Sequence, residues 1–270
     1  MNPYANLNDS NFWRRAVSVS PSGLVDPVLE SNFKIKEDTK VVTAGSCFAQ
    51  HLAKRLSSSG FQYLITEQGL NFSDGHRVKN QYGVYSARFG NIYTTRQLRQ
   101  LLNEVFLNEP RKDIVSTRKD GRYVDILRPQ VEVEGYDSPE AVLVDRESHL
   151  RAVSEMFLQS DVFIFTLGLT EAWQRTSDGL VVPIAPGVVT TEDVSSYEYI
   201  NLRYNDVYED LLGAIKIIKE ANPNIQIILT VSPVPLVATY ENQHVVVSTA
   251  YSKATLRAVA GDIASDSEYV

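Results

Sequence analysis

The sequence predicts an α/β/α sandwich, three layers with a mainly parallel sheet, on three observations. Three apolar runs, beginning at Val41, Val162 and Ile225, read as buried strands, and the one from Val162 is the continuous kind found in parallel sheets covered on both faces. Each run ends at a Gly- or Pro-containing turn (Gly45, Gly168, Pro233), and segments with helical spacing of apolar residues lie between the runs.

The elements follow in order. Residues 1–39 are rich in Asn, Ser, Pro and Asp with scattered aromatics, which suits an irregular arm without a sheet. Residues 40–47 read as a short buried strand that breaks at Gly45. Residues 47–59 place Phe48, Leu52, Ala53 and Leu56 at helical spacing, and after Gly60 the segment 61–65 resumes a strand. Insertions follow this second strand. Residues 66–90 have no sustained period, 94–106 is an amphipathic helix capped by Thr94 or Thr95, and 108–138 reads as an inserted hairpin or extended excursion. A helix over 145–159 leads into the strand 161–167. Residues 174–203 form a long loop, and 205–221 is a helix closed by Asn222-Pro223 before the strand 225–231. Ser232-Pro-Val-Pro235 stops that strand, and a last helix spans about 247–260. The sequence then ends without a convincing final strand. The expected organisation is an arm over 1–39 and a single α/β domain over 40–270, short of a final C-terminal element.

Composition excludes several classes. The 26 Lys and Arg against 33 Asp and Glu leave a net charge of −7, so the positive field that non-specific nucleic-acid binding needs is missing. One cysteine, Cys47, has no partner for an internal disulfide. No run of about 18 apolar residues is present, and the polar N-terminus lacks the apolar segment of a secretory signal. The expectation is a cytoplasmic protein without nucleic-acid or membrane partners, without a metal or cofactor, and of open oligomeric state. Gly45-Ser-Cys-Phe-Ala-Gln50 lacks the further glycines of a dinucleotide-binding turn.

Ligands of open parallel sheets bind at the carboxyl ends of the strands, and all three strand ends here carry polar groups. Gly45 lets the backbone turn sharply, and Cys47 falls in the first turn of the following helix, where free N–H groups and the helix dipole favour a thiolate. The competing reading makes Cys47 a buried packing residue with Ser46 as helix cap. His51 lies about 40° from Cys47 around that helix and reads as an exposed helix residue or a neighbour of the thiol. Beyond the second strand end, Thr170 offers a hydroxyl to an oxyanion, Glu171 a carboxylate and Trp173 a pocket wall. The alternative for the last two is a carboxylate at a helix start with a packing aromatic. In the third loop Glu241 precedes His244 by three residues, a spacing at which the acid could set the imidazole's tautomer.

Gly45-Ser-Cys-Phe-Ala49 resembles the signature of the GSCFA-domain family. Gly90–Leu98, Phe165–Trp173, Thr230–Leu236, Ala238-Thr239 and Ser252–Arg257 resemble its later blocks, over roughly residues 38–260. The family is similar to the SGNH or GDSL hydrolases, which implies a flavodoxin-like sandwich. The resemblance places Cys47 in the nucleophile's position, or Ser46 if the match shifts by one residue. It places Thr170 where those hydrolases carry an oxyanion-hole Asn, and Glu171 in the place of an Asp. Their Asp-x-x-His has no counterpart; Glu241-x-x-His244 takes the role, the pair lies beyond the chain, or the site is not hydrolytic.

The function expected on this basis is an acyl esterase or acyltransferase, acting on a small-molecule or acylated carbohydrate ester. Cys47 or Ser46 would be the nucleophile, His244 the base and Glu241 its orienter. Gly45, Thr170, Glu171 and Trp173 would shape the oxyanion and substrate site. The rival is a non-catalytic ligand-binding module of the same fold.

Overall fold

The computed structural model describes residues 2–21, 24–27 and 33–265. Its backbone divides into two units, residues 1–36 and 37–270. The described part of the first has two short helical turns, Asp9–Asn11 and Arg14–Ser18, with Arg15 paired to Asp9 and lying over the Phe12 ring.

The second unit is an α/β sandwich. Strands β1 (Val41–Gly45), β4 (Val162–Leu167) and β8 (Gln226–Val231) form a parallel sheet in the order β1-β4-β8. Every residue of β1 and β4 is buried. Since alternate side chains point to opposite faces, both faces of these strands are covered. Edge strand β8 is only partly buried. The segment expected as a second strand over 61–65 makes a single parallel bridge, Tyr63 to Val41, on the far side of β1.

The helices follow local chemistry. Helix α1 (Phe48–Ser58) starts directly after the β1 turn. Thr94 and Gln97 form a reciprocal capping box that starts α3 (Thr95–Phe106), after the short α2 (Asp74–Lys79). Helix α4 (Pro139–Gln159) begins six residues before the expected 145, because Ser138 caps it and Pro139 occupies its first turn. Helices α5 (Tyr204–Ala221) and α6 (Val245–Ser265) complete the layers. The expected hairpin is present as β2 (Val115–Thr117) and β3 (Tyr123–Asp125). The expected loop over 174–203 instead holds most of a second sheet: β5 (Glu171–Arg175) pairs antiparallel with β6 (Val181–Val182) and β7 (Tyr197–Asn201). Residues 267–270, where no final strand was expected, lie outside the described residues.

A buried ionic network ties the hairpin to the helices. Asp125, wholly buried, accepts from Arg128 and Arg146, each at 2.9 Å, and Arg146 also reaches Glu104 of α3. Burial opposes the Asp125 anion, but the two guanidiniums outweigh it and hold the carboxyl at about 2. His149 of α4 lies against Glu67 at 2.8 Å. Burial, with Arg128 nearby, depresses the His149 pKa to about 4, so its Nδ1–H donates to the Glu67 carboxylate as a neutral ring. Removing one member of such a network strands a buried charge.

Candidate active site

The parallel register brings the three strand ends together, since Gly45 pairs with Thr166 and Thr166 with Thr230. Beyond them Ser46 N–H donates to Thr166 O at 3.1 Å, and Ser232 N–H to Leu167 O at 2.9 Å. The junctions at Ser46–Cys47, Gly168 and Ser232 therefore share one edge of the sheet. Strand β1 leads away from β4, toward the 61–65 segment, while β4 leads the other way to β8. This reversal of winding opens a crevice between β1 and β4.

Two glycines make the junction possible. Gly45 has φ +134°, and a Cβ there would lie 2.3 Å from Thr166 O. A Cβ on Gly168 would lie 2.8 Å from Tyr93 O and 3.1 Å from Ser46 Cβ, so its absence lets the β4 turn close onto β1.

A cleft of about 730 Å³ opens at this edge. Its polar lining includes Ser46, Cys47, Tyr93, Glu171, Thr239 and Lys253. Cys47 is half-buried at the start of α1. The turn's hydrogen bonds use the Ser46 N–H and those of Ala49 and Gln50, and the Cys47 and Phe48 amides lie at the helix's open end, where N–H groups are free for an anion. Ser46 is 3% exposed, and its Oγ has no hydrogen-bond partner among the described residues.

Lys253, from the middle of α6, is the cation of the cleft. Its Nζ donates to Gly168 O. Burial lowers its pKa from the usual 10.5, and interaction with Cys47 works in the opposite direction. Burial and then Cys47 push the Tyr93 phenol up, which keeps it protonated as a donor.

The structure distributes the residues expected from sequence. Cys47, Ser46, Glu171 and Trp173 line the cleft, with Gly45 supporting its floor. Glu171 begins a strand rather than a helix; Thr239 Oγ1 donates to it at 2.7 Å and Tyr240 N–H at 3.2 Å. Trp173 contacts the Tyr240 and Tyr199 rings. Thr170 is fully buried outside the lining, its hydroxyl donating to Asn201 Oδ1 at 2.7 Å and its N–H to Ser252 Oγ. Glu241 and His244 are not joined: Glu241 accepts from Asn201 at 2.9 Å, while the exposed His244 accepts the Val246 N–H on Nδ1 at the start of α6. His51 is exposed against Phe48.

Sequence reasoning missed Lys253. The available signal was a lysine inside the Ser252–Arg257 block, which a snorkelling surface side chain explains equally well. Among the described residues no cluster of His, Cys, Asp and Glu is placed to hold a metal, and no helix is long and apolar enough to cross a membrane.

The sandwich defines an α/β protein with a cleft at the carboxyl edge of a parallel sheet. The GSCFA family model matches residues 40–270, and the chain belongs to the GSCFA family. No curated protein and no solved structure matches it.

Proposed function

We propose that the protein is an acyl esterase or acyltransferase of SGNH-like design, in which Cys47 is the nucleophile and Lys253 its proton partner. The observation that carries this reading is the shared cleft: a half-buried thiol at a helix N-terminus and a lysine whose ammonium is disfavoured by burial. Ser46 is less suited to attack because it is almost wholly buried. Lys253 replaces His244 in the role of base, since the imidazole is exposed, engaged by Val246 and outside the lining.

The chemistry balances with these groups alone. Neutral Lys253 takes the thiol proton as Cys47 Sγ attacks the carbonyl carbon of the ester. The Cys47 and Phe48 amides and the Tyr93 phenol are the donors available to the oxyanion. As the tetrahedral intermediate collapses, the carbon–oxygen bond of the leaving alcohol breaks and the Lys253 ammonium protonates that oxygen. Water or an acceptor hydroxyl then attacks the thioester, giving its proton to Lys253, and as the thiolate departs that proton passes to Sγ, which restores the thiol and the amine. Acceptance by water gives hydrolysis, and acceptance by a sugar or other alcohol gives acyl transfer.

The position of His244 and His51 outside the cleft favours a second reading, a binding module whose thiol is inert. One experiment separates them. Wild-type protein is mixed with p-nitrophenyl esters, and product release, intact mass and the rate of iodoacetamide alkylation are followed across pH. Expected is a transient acyl adduct on Cys47, absent in Cys47→Ala and slowed in Lys253→Met. Absence of turnover and adduct, with alkylation at an ordinary thiol's rate, overturns the catalytic reading.

A further inference from the structure

We infer that the cleft binds the hydrocarbon chain of a medium-length acyl group, so that the acyl donor carries such a chain rather than an acetyl group. The inference rests on the acyl-transfer reading for its chemistry and on the cleft walls for its specificity.

The walls come from two loops. One follows β6 and contributes Pro183, Ile184 and Val188; the other follows β8 and contributes Val234, Leu236 and Val237. Trp173 and Tyr240, ring centroids 4.9 Å apart, stand with them. Ligand pockets are mostly apolar, with a few polar groups that fix orientation. Here Tyr93 and Lys253 are the groups that interact with Cys47, and Glu171 is engaged by Thr239 and the Tyr240 amide, so the loop walls offer a ligand chiefly apolar surface.

Size points the same way. At roughly 30 Å³ per heavy atom, the scale of a water molecule's share of liquid, an acetyl group fills only a small part of a cleft of about 730 Å³. An eight- to twelve-carbon chain (about 240–360 Å³ on that scale) makes substantial use of it. Exposure is the third observation: Val237 is fully exposed, Tyr240 68% and Val188 62%, all of them on the lining. A chain lying along them removes this apolar surface from water, at roughly three- to fourfold in affinity for each methylene buried.

The test measures kcat/KM for p-nitrophenyl acetate, butyrate, octanoate, decanoate and dodecanoate with the full chain, alongside acylation of Cys47 by intact mass. Expected is a rise on the order of 1,000-fold from acetate to octanoate, which is six methylenes longer. Ala238→Trp, which adds bulk at an exposed lining position, is expected to move the optimum to shorter chains. Binding is read separately, as quenching of Trp173 fluorescence by decanoate in a Trp13→Phe, Cys47→Ala background. A flat or falling chain-length profile, with Cys47 still acylated, overturns this inference and leaves acyl transfer standing. Saturable decanoate binding without acylation by any ester supports the chain site and overturns acyl transfer. Neither acylation nor decanoate binding overturns both.

Discussion

Gly45→Ala is expected to destabilise the protein by about 2–6 kcal/mol, because the methyl group acts as a wedge between the two central strands. The backbone at Gly45, φ +134°, lies where residues with a side chain carry a penalty of roughly 1–3 kcal/mol. The added Cβ would sit 2.3 Å from Thr166 O, about 1 Å short of ordinary contact, so β1 must withdraw from β4. That movement opens the 3.1 Å bond from Ser46 N–H to Thr166 O, and a buried donor left unpaired costs about 1–3 kcal/mol. Gly60→Ala is the matched control. Gly60 has φ +83° with nothing within 4 Å of a Cβ, so only the conformational penalty, about 1–2 kcal/mol, applies. Urea unfolding followed by tryptophan fluorescence compares the two variants, and iodoacetamide alkylation of Cys47 reports the cleft. Equal losses of stability in the two variants would refute the wedge.

The buried network yields two further predictions. Asp125→Asn should cost about 3–5 kcal/mol in urea unfolding by removing the wholly buried anion that Arg128 and Arg146 share, which leaves them only Asp145 and Glu104. His149 has a folded pKa of about 4 against an ordinary 6.5, so between these values the unfolded chain binds a proton that the fold excludes. Its contribution is complete above pH 6.5 and is lost as pH falls toward 4, about 3 kcal/mol in all, and His149→Gln should flatten that limb of stability against pH. For the proposed chemistry, kcat/KM should rise with pH through a lysine pKa below 10.5. Lys253→Met and Lys253→Arg should each lose roughly 10²–10⁴-fold and the rising limb with it, and an unchanged profile in either variant would remove Lys253 from the proton transfer.

The central sheet was legible because β1, β4 and β8 are largely apolar, and burial on two faces, complete for β1 and β4, suits such runs. The second sheet was not. Glu171-Ala-Trp-Gln-Arg175 is polar at three of five positions, and its pairing with β6 and β7 depends on partners up to 30 residues away (Glu171 with Asn201) that no local pattern reveals. The 61–65 run was apolar enough for a strand but contributes one bridge, at Tyr63. At the site, Gly45-Ser-Cys47 was readable because a glycine after a buried strand and a thiol at a helix start are both local features. Glu241 and His244 show the opposite. Three residues of spacing brought them into one loop, but the start of α6 draws the imidazole to the Val246 amide while Asn201 takes the carboxylate. Lys253 was hidden for a related reason: its role depends on Gly168 and Cys47, more than 80 residues away in sequence.

The lysine and the apolar walls belong to one physical design. An amine flanking a wet cleft stays charged, and as an ammonium it has no lone pair with which to take a thiol proton. Lys253 is half-buried, and desolvation is what lowers its pKa. The loops after β6 and β8 that provide the hydrocarbon surface border the same cleft, and an acyl chain lying between them would exclude water from its polar lining. Binding of the chain would then depress the lysine further and strengthen every donor aimed at the oxyanion, since both effects grow as the local dielectric falls. Chain length should therefore act on kcat as well as on KM. A chain that served only as an anchor would change KM alone, so the division of the chain-length effect between the two constants separates a grip on the substrate from a contribution to the acyl-transfer step.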